Sequence, residues 1–413
     1  MIFNYFKIFN QDKNKTITNK NGVKIVEFEF FNKEPIENVI TCLHYKFDKV
    51  IYFGYEEVIN SRKKSTENFL KKHCDVKKVE FHSLPKDSLE KVLDTMRKEI
   101  QSEVDQGSQI YFDITGGESL ILVAFGMLSN ELNCPSHMFD IYADKLIEFN
   151  NESKFNLSIS LEEHKIDLDL SRYIEMKGGI INQKLQKSLK EDSDIEFDED
   201  ISRIWKVAKK HIDKWNQFSD LLSKYILSDD NLQVSRQGKS ILKTLQTLAL
   251  SKIQTLKDLI DIVDDLGKEG ILLNVEHENG KFRFKYKNQR IKECLCEGGS
   301  VLELQTFQTQ KIDSDDCRVG VHLDWDGIIH TQDGGDVLNE IDVLSIKGNI
   351  PTFISCKSGK MSTPQTLHAL YELNAITKRF GGKYAKKVLV TAQSLSDVNI
   401  DGATEMGIEV IVL

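Results

Sequence analysis

The stretch that decides the reading is Asn339-Glu340-Ile341-Asp342, followed by Phe353-Ile354-Ser355-Cys356-Lys357-Ser358-Gly359. A short polar turn, Lys347-Gly348-Asn349, separates two β-type runs. Successive side chains of a strand point to opposite faces. Glu340 and Asp342 therefore share one face, with Ile341 and Val343 on the other. Ser355 and Lys357 share a face, with Ile354 and Cys356 opposite. A hairpin of this kind brings Asp342 toward Lys357. An acid and an ammonium so placed can hold a hard cation near a scissile phosphate and offset the developing charge.

A further carboxylate is available just upstream. Glu303 stands in Leu302-Glu303-Leu304, directly after Gly298-Gly299-Ser300. Two carboxylates with a backbone carbonyl, that of Cys356, make an all-oxygen donor set that suits magnesium or manganese rather than zinc. Two plainer readings stand beside this one. Ser300-x-x-Glu303 also spells a capping box, and an Asp–Lys pair on neighbouring strands is often a simple cross-strand ion pair.

Working outward, the last 115 residues read as a compact α/β unit. Helices are expected over 300–312 and 363–380, and strands over 319–329, 340–346, 352–357, 387–391 and 409–413. The block 159–295 is rich in Lys, Asp, Leu and Ser. It predicts helices over 201–225 and 240–266 and a hairpin over 271–286 that turns at Glu278-Asn279-Gly280. Residues 188–200 are acidic and read as a mobile connection.

The amino-terminal part alternates strand and helix. Strands are predicted over 23–30, 49–54, 76–84, 109–114 and 136–142, and helices over 36–46 and 56–72. A third helix follows from the spacing of Leu89, Val92, Leu93, Met96 and Ile100. Leu120, Ile121, Val123, Ala124, Met127 and Leu128 mark a fourth, expected to be well buried. Such alternation over some 120 residues argues for an open parallel sheet. Residues 1–22 read as an irregular or hairpin-like leader.

A second chemical signal lies here. Asp113-Ile114-Thr115-Gly116-Gly117-Glu118-Ser119 leaves a strand and opens a helix. Glycines there let a phosphate or ribose approach backbone amides, and a helix amino-terminus favours anions. The run is neither a Walker loop nor a GxGxxG turn. Thr115-x-x-Glu118 also matches a capping box.

Bulk properties bound the rest. A chain of 413 residues has room for two or three domains. A formal charge of −9 excludes a generally basic nucleic-acid coat but not a local groove. The seven cysteines include no CxxC pair, which argues against a zinc site built on cysteine and against a disulfide framework. Residues 1–10 carry four aromatics without a small-residue cleavage site and do not read as a signal peptide. No apolar run approaches the roughly 18 residues of a membrane span, so no membrane partner is expected and the cytoplasm is the default. His82, His137, His322 and His330 read as packing or surface residues. Trp205 and Trp215 read as seating the spacer helices.

The carboxyl-terminal sequence resembles the PD-(D/E)xK nucleases, and more narrowly the nuclease half of CRISPR ancillary nucleases that carry a CARF sensor. The resemblance rests on Leu302-Glu303, Glu340-Ile341-Asp342-Val343, Ile354-Ser355-Cys356-Lys357 and the run from Tyr371-Glu372-Leu373 through Phe380-Gly381-Gly382 to Ala385-Lys386. It implies metal-dependent phosphodiester cleavage. Asp342 and Glu303 would be metal ligands, with the Cys356 carbonyl, and Lys357 would position the nucleophile. The pattern departs at Ser355, where the family has an acid. Metal affinity then falls, or Glu340 compensates.

Residues 23–150 resemble the CARF family, which carries an Asp-x-Thr-Gly-Gly turn. That resemblance implies a cyclic-oligoadenylate pocket shared across a two-fold dimer. It would be lined by the loop from Asn32 and Lys33 to Asn38, by Gly54 and Tyr55, and by Thr115, Gly116 and Gly117. Glu118-Ser119 stand where related turns have a small residue and a lysine. Lys33, Arg62, Lys63 or Lys64 would supply positive charge.

The expected architecture is α/β throughout: a Rossmann-like CARF domain with a parallel sheet (1–158), a helical spacer with a small wing (159–295), and a restriction-endonuclease-like domain (296–413). The expected function is an allosteric, homodimeric nuclease of type III CRISPR antiviral defence. It would be activated by cyclic tetra-adenylate, depend on Mn2+ or Mg2+, and cleave DNA, RNA or both. The alternatives are a non-catalytic, nucleotide-responsive regulator with a decayed site, and a repair or resolvase-type nuclease without a nucleotide switch.

Overall fold

The computed structural model describes residues 23–149, 155–160, 168–183, 195–278, 280–325, 327–328 and 338–413. The leader 1–22, most of the acidic connection, Asn279 of the predicted turn and His330 lie outside the described residues. Two compact units result. One is residues 1–168 with 172–178, and the other is residues 169–171 with 179–413.

In the first unit the chain runs β1 (Ile25–Phe31), α1 (Ile40–His44), β2 (Lys49–Gly54), α2 (Glu56–His73), β3 (Lys78–Ser83), α3 (Leu89–Asp105), β4 (Gln109–Asp113), α4 (Ser119–Leu132), β5 (Ser136–Asp140), β6 (Lys145–Phe149) and β7 (Phe155–Ser160). The strands form one sheet in the order β3-β2-β1-β4-β5-β6-β7. The first five are mutually parallel, and β6 and β7 add on antiparallel. β1 is central and buried along its whole length, as a strand covered on both faces must be. Val26, Phe28 and Phe30 on one face pack with Phe53, Met96, Phe112 and Phe125. Glu27 and Glu29 point to the other face.

Two expectations change here. The helix predicted over 36–46 is a 3-10 turn, Pro35–Asn38, followed by the five-residue α1. Val39 between them has non-helical dihedrals (φ −134°, ψ −17°). The Asn38 side chain bonds the Asn32 backbone instead, as asparagine does when it competes with helix. α4 is not wholly buried. Ile121, Ala124, Phe125 and Leu128 face the core, while Leu120, Val123 and Met127 stand 45%, 53% and 49% exposed. An apolar composition all round hides which face is covered.

The second unit holds α5 (Leu170–Met176) only at its first turn, since residues 172–178 belong to the first unit. It continues with β8 (Ile180–Ile181), α6 (Ile195–Lys210), α7 (Ile212–Lys224), β9 (Gln233–Gln237), α8 (Gly238–Leu248), α9 (Leu256–Lys268), β10 (Leu272–Glu276), β11 (Lys281–Tyr286) and α10 (Gln289–Cys296). After these come α11 (Ser300–Ile312), β12 (Asp316–Asp324), β13 (Leu338–Lys347), β14 (Ile350–Lys357), α12 (Thr363–Phe380), β15 (Lys386–Thr391), α13 (Asp397–Glu405) and β16 (Ile408–Val412).

The main sheet of this unit runs β16-β15-β14-β13-β12-β8, and β10-β11-β9 form the wing. The wing hairpin forms as expected, with β9 as a third strand that the reading missed. β8 and α13 were also missed. Each long predicted spacer helix is two helices. His211 leaves helical dihedrals between α6 and α7 and bonds Asp265 at 2.8 Å. Ala249 takes φ +46°, and a Thr255–Asp258 capping box starts α9. Trp205 and Trp215 are buried, as expected of helix anchors. Spacer residues such as Phe197, Ile204, Trp215 and Phe218 share one continuous core with Leu302, Val343, Ile354 and Val388. No helix among the described residues is long and apolar enough to cross a membrane.

Candidate active site and sensor turn

The antiparallel ladder between β13 and β14 runs from Lys347↔Ile350 to Val343↔Ile354 and stops there. β14 remains paired to β15 on its other edge through Lys357↔Thr391. Beyond the stop, the amide of Cys356 has no strand acceptor on β13. It donates instead to Asp342 Oδ2 at 2.6 Å, and Ser355 Oγ donates to the same oxygen at 3.2 Å. Asp342 thus substitutes its side chain for a strand carbonyl where the strands part. Lys357 follows one residue later on the Ser355 face.

Asp342 is held above the ordinary carboxylate range. Burial is the main cause, opposed by the nearby Lys357 charge and the bonds from Cys356 and Ser355, with Glu340 adding to the rise. Burial also pushes the Cys356 thiol well up; Asp342 and Glu303 push the same way and Lys357 opposes them. Residue 356 is therefore the common neighbour of the three charges singled out in the sequence. Glu303 lies one turn before Thr306, whose hydroxyl meets Cys356 Sγ at 3.6 Å. Glu340 is exposed. The capping box at Ser300 does not form: Gly299 is the N-cap and Ser300 is already helical. Cys356 Sγ is buried on the core side, as read from strand alternation.

In the first unit, β1 lies between β2 and β4, so the loops leaving their carboxyl ends are neighbours. Phe31 pairs with Gly54, and Glu29 with Asp113. This is where a doubly wound sheet opens a crevice. Asn32, Lys33 and Asn38 form one bonded loop: Asn38 Oδ1 accepts from Asn32 N at 2.8 Å, and Asn32 Oδ1 from Lys33 N at 2.6 Å. Gly54 ends β2 against Phe31. Asp113 Oδ1 accepts the Thr115 amide at 2.6 Å, and Thr115 Oγ1 accepts the Phe139 amide at 2.8 Å. The threonine hydroxyl is thereby oriented with its own proton available to donate. A Cβ at Gly116 would sit 2.4 Å from Glu37 Oε2, so only glycine fits.

The Thr115–Glu118 capping box does not form. Glu118 is itself the N-cap, without a side-chain cap bond, and takes the Tyr55 hydroxyl at 2.9 Å. Of the basic residues considered for the pocket, Arg62 donates to the Lys177 carbonyl at 3.4 Å.

Residues 292–412 match the family model for the Card1-like endonuclease domain. The match covers the carboxyl-terminal part of the chain. Glu303, Glu340, Asp342, Cys356 and Lys357 all fall inside that match. Among solved structures, the chain is similar to protein VC1899 from Vibrio cholerae, with a TM-score of 0.68 and 16% identity, covering 94% of each chain. It is also similar to Can2 from Sulfobacillus thermosulfidooxidans, solved in complex with cyclic tetra-adenylate. There the TM-score is 0.61 and the identity 13%, covering 94% of this chain and 93% of that one. These likenesses establish the fold over nearly the whole chain. No curated protein matches it.

The Card1-like domain is also approached by a residue outside its own span. Asn216, on spacer helix α7, accepts from Ser358 Oγ at 3.1 Å, one residue after Lys357. Cβ atoms at Gly298 and Gly359 would lie 3.3 and 3.1 Å from its amide. Asn216 therefore sits between the loop that leads into Glu303's helix and the loop that follows Lys357. Sequence reading did not find it, because 142 residues separate Asn216 from Ser358. The two glycine-bearing loops were the only local hint. His137 is packed in the interior, against Tyr45, Phe47 and Tyr111, as one of its two readings had it. It is buried and lies 2.9 Å from Glu27 Oε1, a partner 110 residues away.

Proposed function

We propose that this protein is a divalent-metal-dependent endonuclease of type III CRISPR defence, gated by a cyclic oligoadenylate and acting as a homodimer in the cytoplasm. The observation that carries it is the parting of β13 and β14 around Asp342, Cys356 and Lys357 inside a Card1-like domain.

The donor set suits a hard cation. Asp342 Oδ2 is occupied by Cys356 and Ser355, while Oδ1 carries no protein donor among the described residues. Glu303, the Cys356 carbonyl and Glu340 offer further oxygens. A divalent ion held there would supply Lewis-acid polarisation of the phosphodiester. Asp342 is kept in place by its two donors. Lys357 directs a cation toward the attacked phosphate, orienting the nucleophile and offsetting charge in the transition state. Ser355, in place of an acid, leaves Asp342 with a donor rather than a repelling neighbour.

The gating half of the reading rests on the sensor turn. Thr115, Gly116 and Gly117 form its floor beside Asn32, Lys33, Asn38, Gly54 and Tyr55. Can2, with the same overall fold, binds cyclic tetra-adenylate, and this is the activator proposed here. The exposed stripe Leu120, Val123 and Met127 on α4, directly after the turn, favours a second copy of the chain, since monomers rarely leave such stripes open. A ligand bound across two copies shifts the nuclease only if it favours one dimer arrangement over another.

The test is cleavage of plasmid DNA and of single-stranded RNA with Mn2+ or Mg2+, with and without cyclic tetra-adenylate. Cutting is expected only when metal and activator are both present. Activator binding without any cutting would overturn the enzymatic half and leave the regulator; activator-independent cutting would overturn the gate.

A further inference from the structure

Glu27 and Glu29 are two residues apart on β1 and so share one face, the one turned away from Phe28. Both are fully buried, as is Asp113, and Glu37 is 1% exposed. Strand pairing sets Glu29 opposite Asp113, and Asp113 opposite His137. His137 Nε2 lies 2.9 Å from Glu27 Oε1 and 3.9 Å from Asp113 Oδ2. One ligand atom from each of the three lies within 4.8 Å of the others. Tetrahedral zinc with bonds near 2.0–2.1 Å has ligand–ligand edges of roughly 3.3 Å. The observed spacings straddle that value.

Glu29 supplies an independent observation. Both its carboxylate oxygens are buried without a hydrogen-bond partner among the described residues. The charges that act on it most are Asp113, Glu27 and Glu37. Glu27 and Asp113, by contrast, are tightly oriented: Thr41 Oγ1 contacts both, at 3.2 and 2.5 Å, and Cys42 Sγ donates to Glu27 Oε2 at 3.0 Å. An unpartnered carboxylate in a dry interior is costly, and one imidazole does not balance several acids. Either protons or a cation must make up the difference.

We propose that Glu27, Asp113 and His137 form a buried site for a zinc-class divalent ion beneath the sensor turn, held there in part by the charge of the neighbouring Glu29 carboxylate. One histidine nitrogen with carboxylate oxygens is a donor set zinc accepts. Asp113 also holds the Thr115 amide, so the ion braces the floor of that turn. Because every ligand is buried, the ion enters as the unit folds and contributes to its stability. This site is separate from the nuclease centre and does not rest on the nucleotide-gated reading.

The experiment uses the full chain carrying Asp342→Asn, which removes the main ligand of the nuclease centre. The chain is unfolded in denaturant with EDTA, refolded with zinc alone, and freed of unbound metal. Elemental analysis is expected to find one zinc per chain, with a raised Tm, and Co2+ in its place should give the visible absorption of a tetrahedral site. Glu29→Gln in the same background should weaken zinc binding at least tenfold while circular dichroism shows a folded chain, since no hydrogen bond of Glu29 is lost. His137→Gln should abolish it; should that variant not fold, Glu29→Gln decides. A folded protein that retains no zinc and shows no Tm shift overturns the proposal and leaves a proton-sharing cluster. Zinc held equally well by Glu29→Gln also overturns it.

Discussion

Asp342 accepts the backbone amide of Cys356 at 2.6 Å across a hairpin whose ladder has already ended. That bond ties the acid to the residue immediately before Lys357. The acid is therefore fixed against the backbone at the root of the Lys357 side chain.

Lys357→Ala should lower metal-dependent cleavage by at least ~100-fold, the scale of losing one preorganised charge-stabilising group. Activator binding, measured by titration calorimetry, should be unchanged. Cleavage at near wild-type rate would refute the role given to Lys357.

Ser355→Ala removes one of two donors to Asp342 and leaves the Cys356 amide in place. The expected loss is roughly tenfold, since a long hydroxyl-to-carboxylate bond goes while the shorter amide bond stays. Asp342→Asn should be far more damaging. Equal losses in the two variants would mean that Ser355 does more than orient the acid.

Asn216→Ala should reduce kcat by roughly 10- to 100-fold with KM for nucleic acid little changed, as expected for a residue that positions the loops beside the site. Asn216→Asp keeps the acceptor for Ser358 and should recover part of the rate. If kcat is unmoved while Tm falls, the contact between α7 and Ser358 is structural only.

Val123→Glu places a charge in the exposed stripe of α4 and should leave the fold intact, because the position is half exposed. Light scattering should show monomer, and activation should be lost. A dimer that persists would place the interface elsewhere.

Glu103 tests the packing of the first unit. Burial pushes its carboxyl up, but bonds from Lys24, Lys49 and Ser108 overcome that and hold it at about 2, below the ordinary 4.5. Its contribution to stability is present above pH 4.5 and is lost as pH falls toward 2. Glu103→Gln should cost about 2 kcal/mol at neutral pH, since the buried Lys49 loses one of its two carboxylate partners and keeps Glu80. It should also flatten the acid limb of chemical denaturation measured against pH. An unchanged limb would assign that limb to other carboxylates.

Much of the architecture was legible in the chain itself. β2 and helices α11 and α12 occur with the bounds read from periodicity and breakers, because each is a strongly patterned run between clear punctuation. The hairpin that carries Asp342 and Lys357 followed from alternation alone, and so did the burial of Cys356. The glycines at 116 and 117 announced a tight turn. Both capping boxes were written just as plainly, and neither forms. At Glu118 and Gly299 the backbone enters the helix one or more residues away from the expected cap.

What tertiary structure alone decided are the relationships between residues far apart in the chain. Asn216 with Ser358, His137 with Glu27, and Glu29 without a hydrogen-bond partner among the described residues have no sequence signature, because spacing encodes only neighbours along one helix or strand. Which half of α4 stays exposed was equally hidden, since an apolar residue looks the same facing a core or a second copy. Local pattern set each element and the face its side chains take. The order in which sheets assemble then determined which charges meet, and burial determined what those charges must find to balance them.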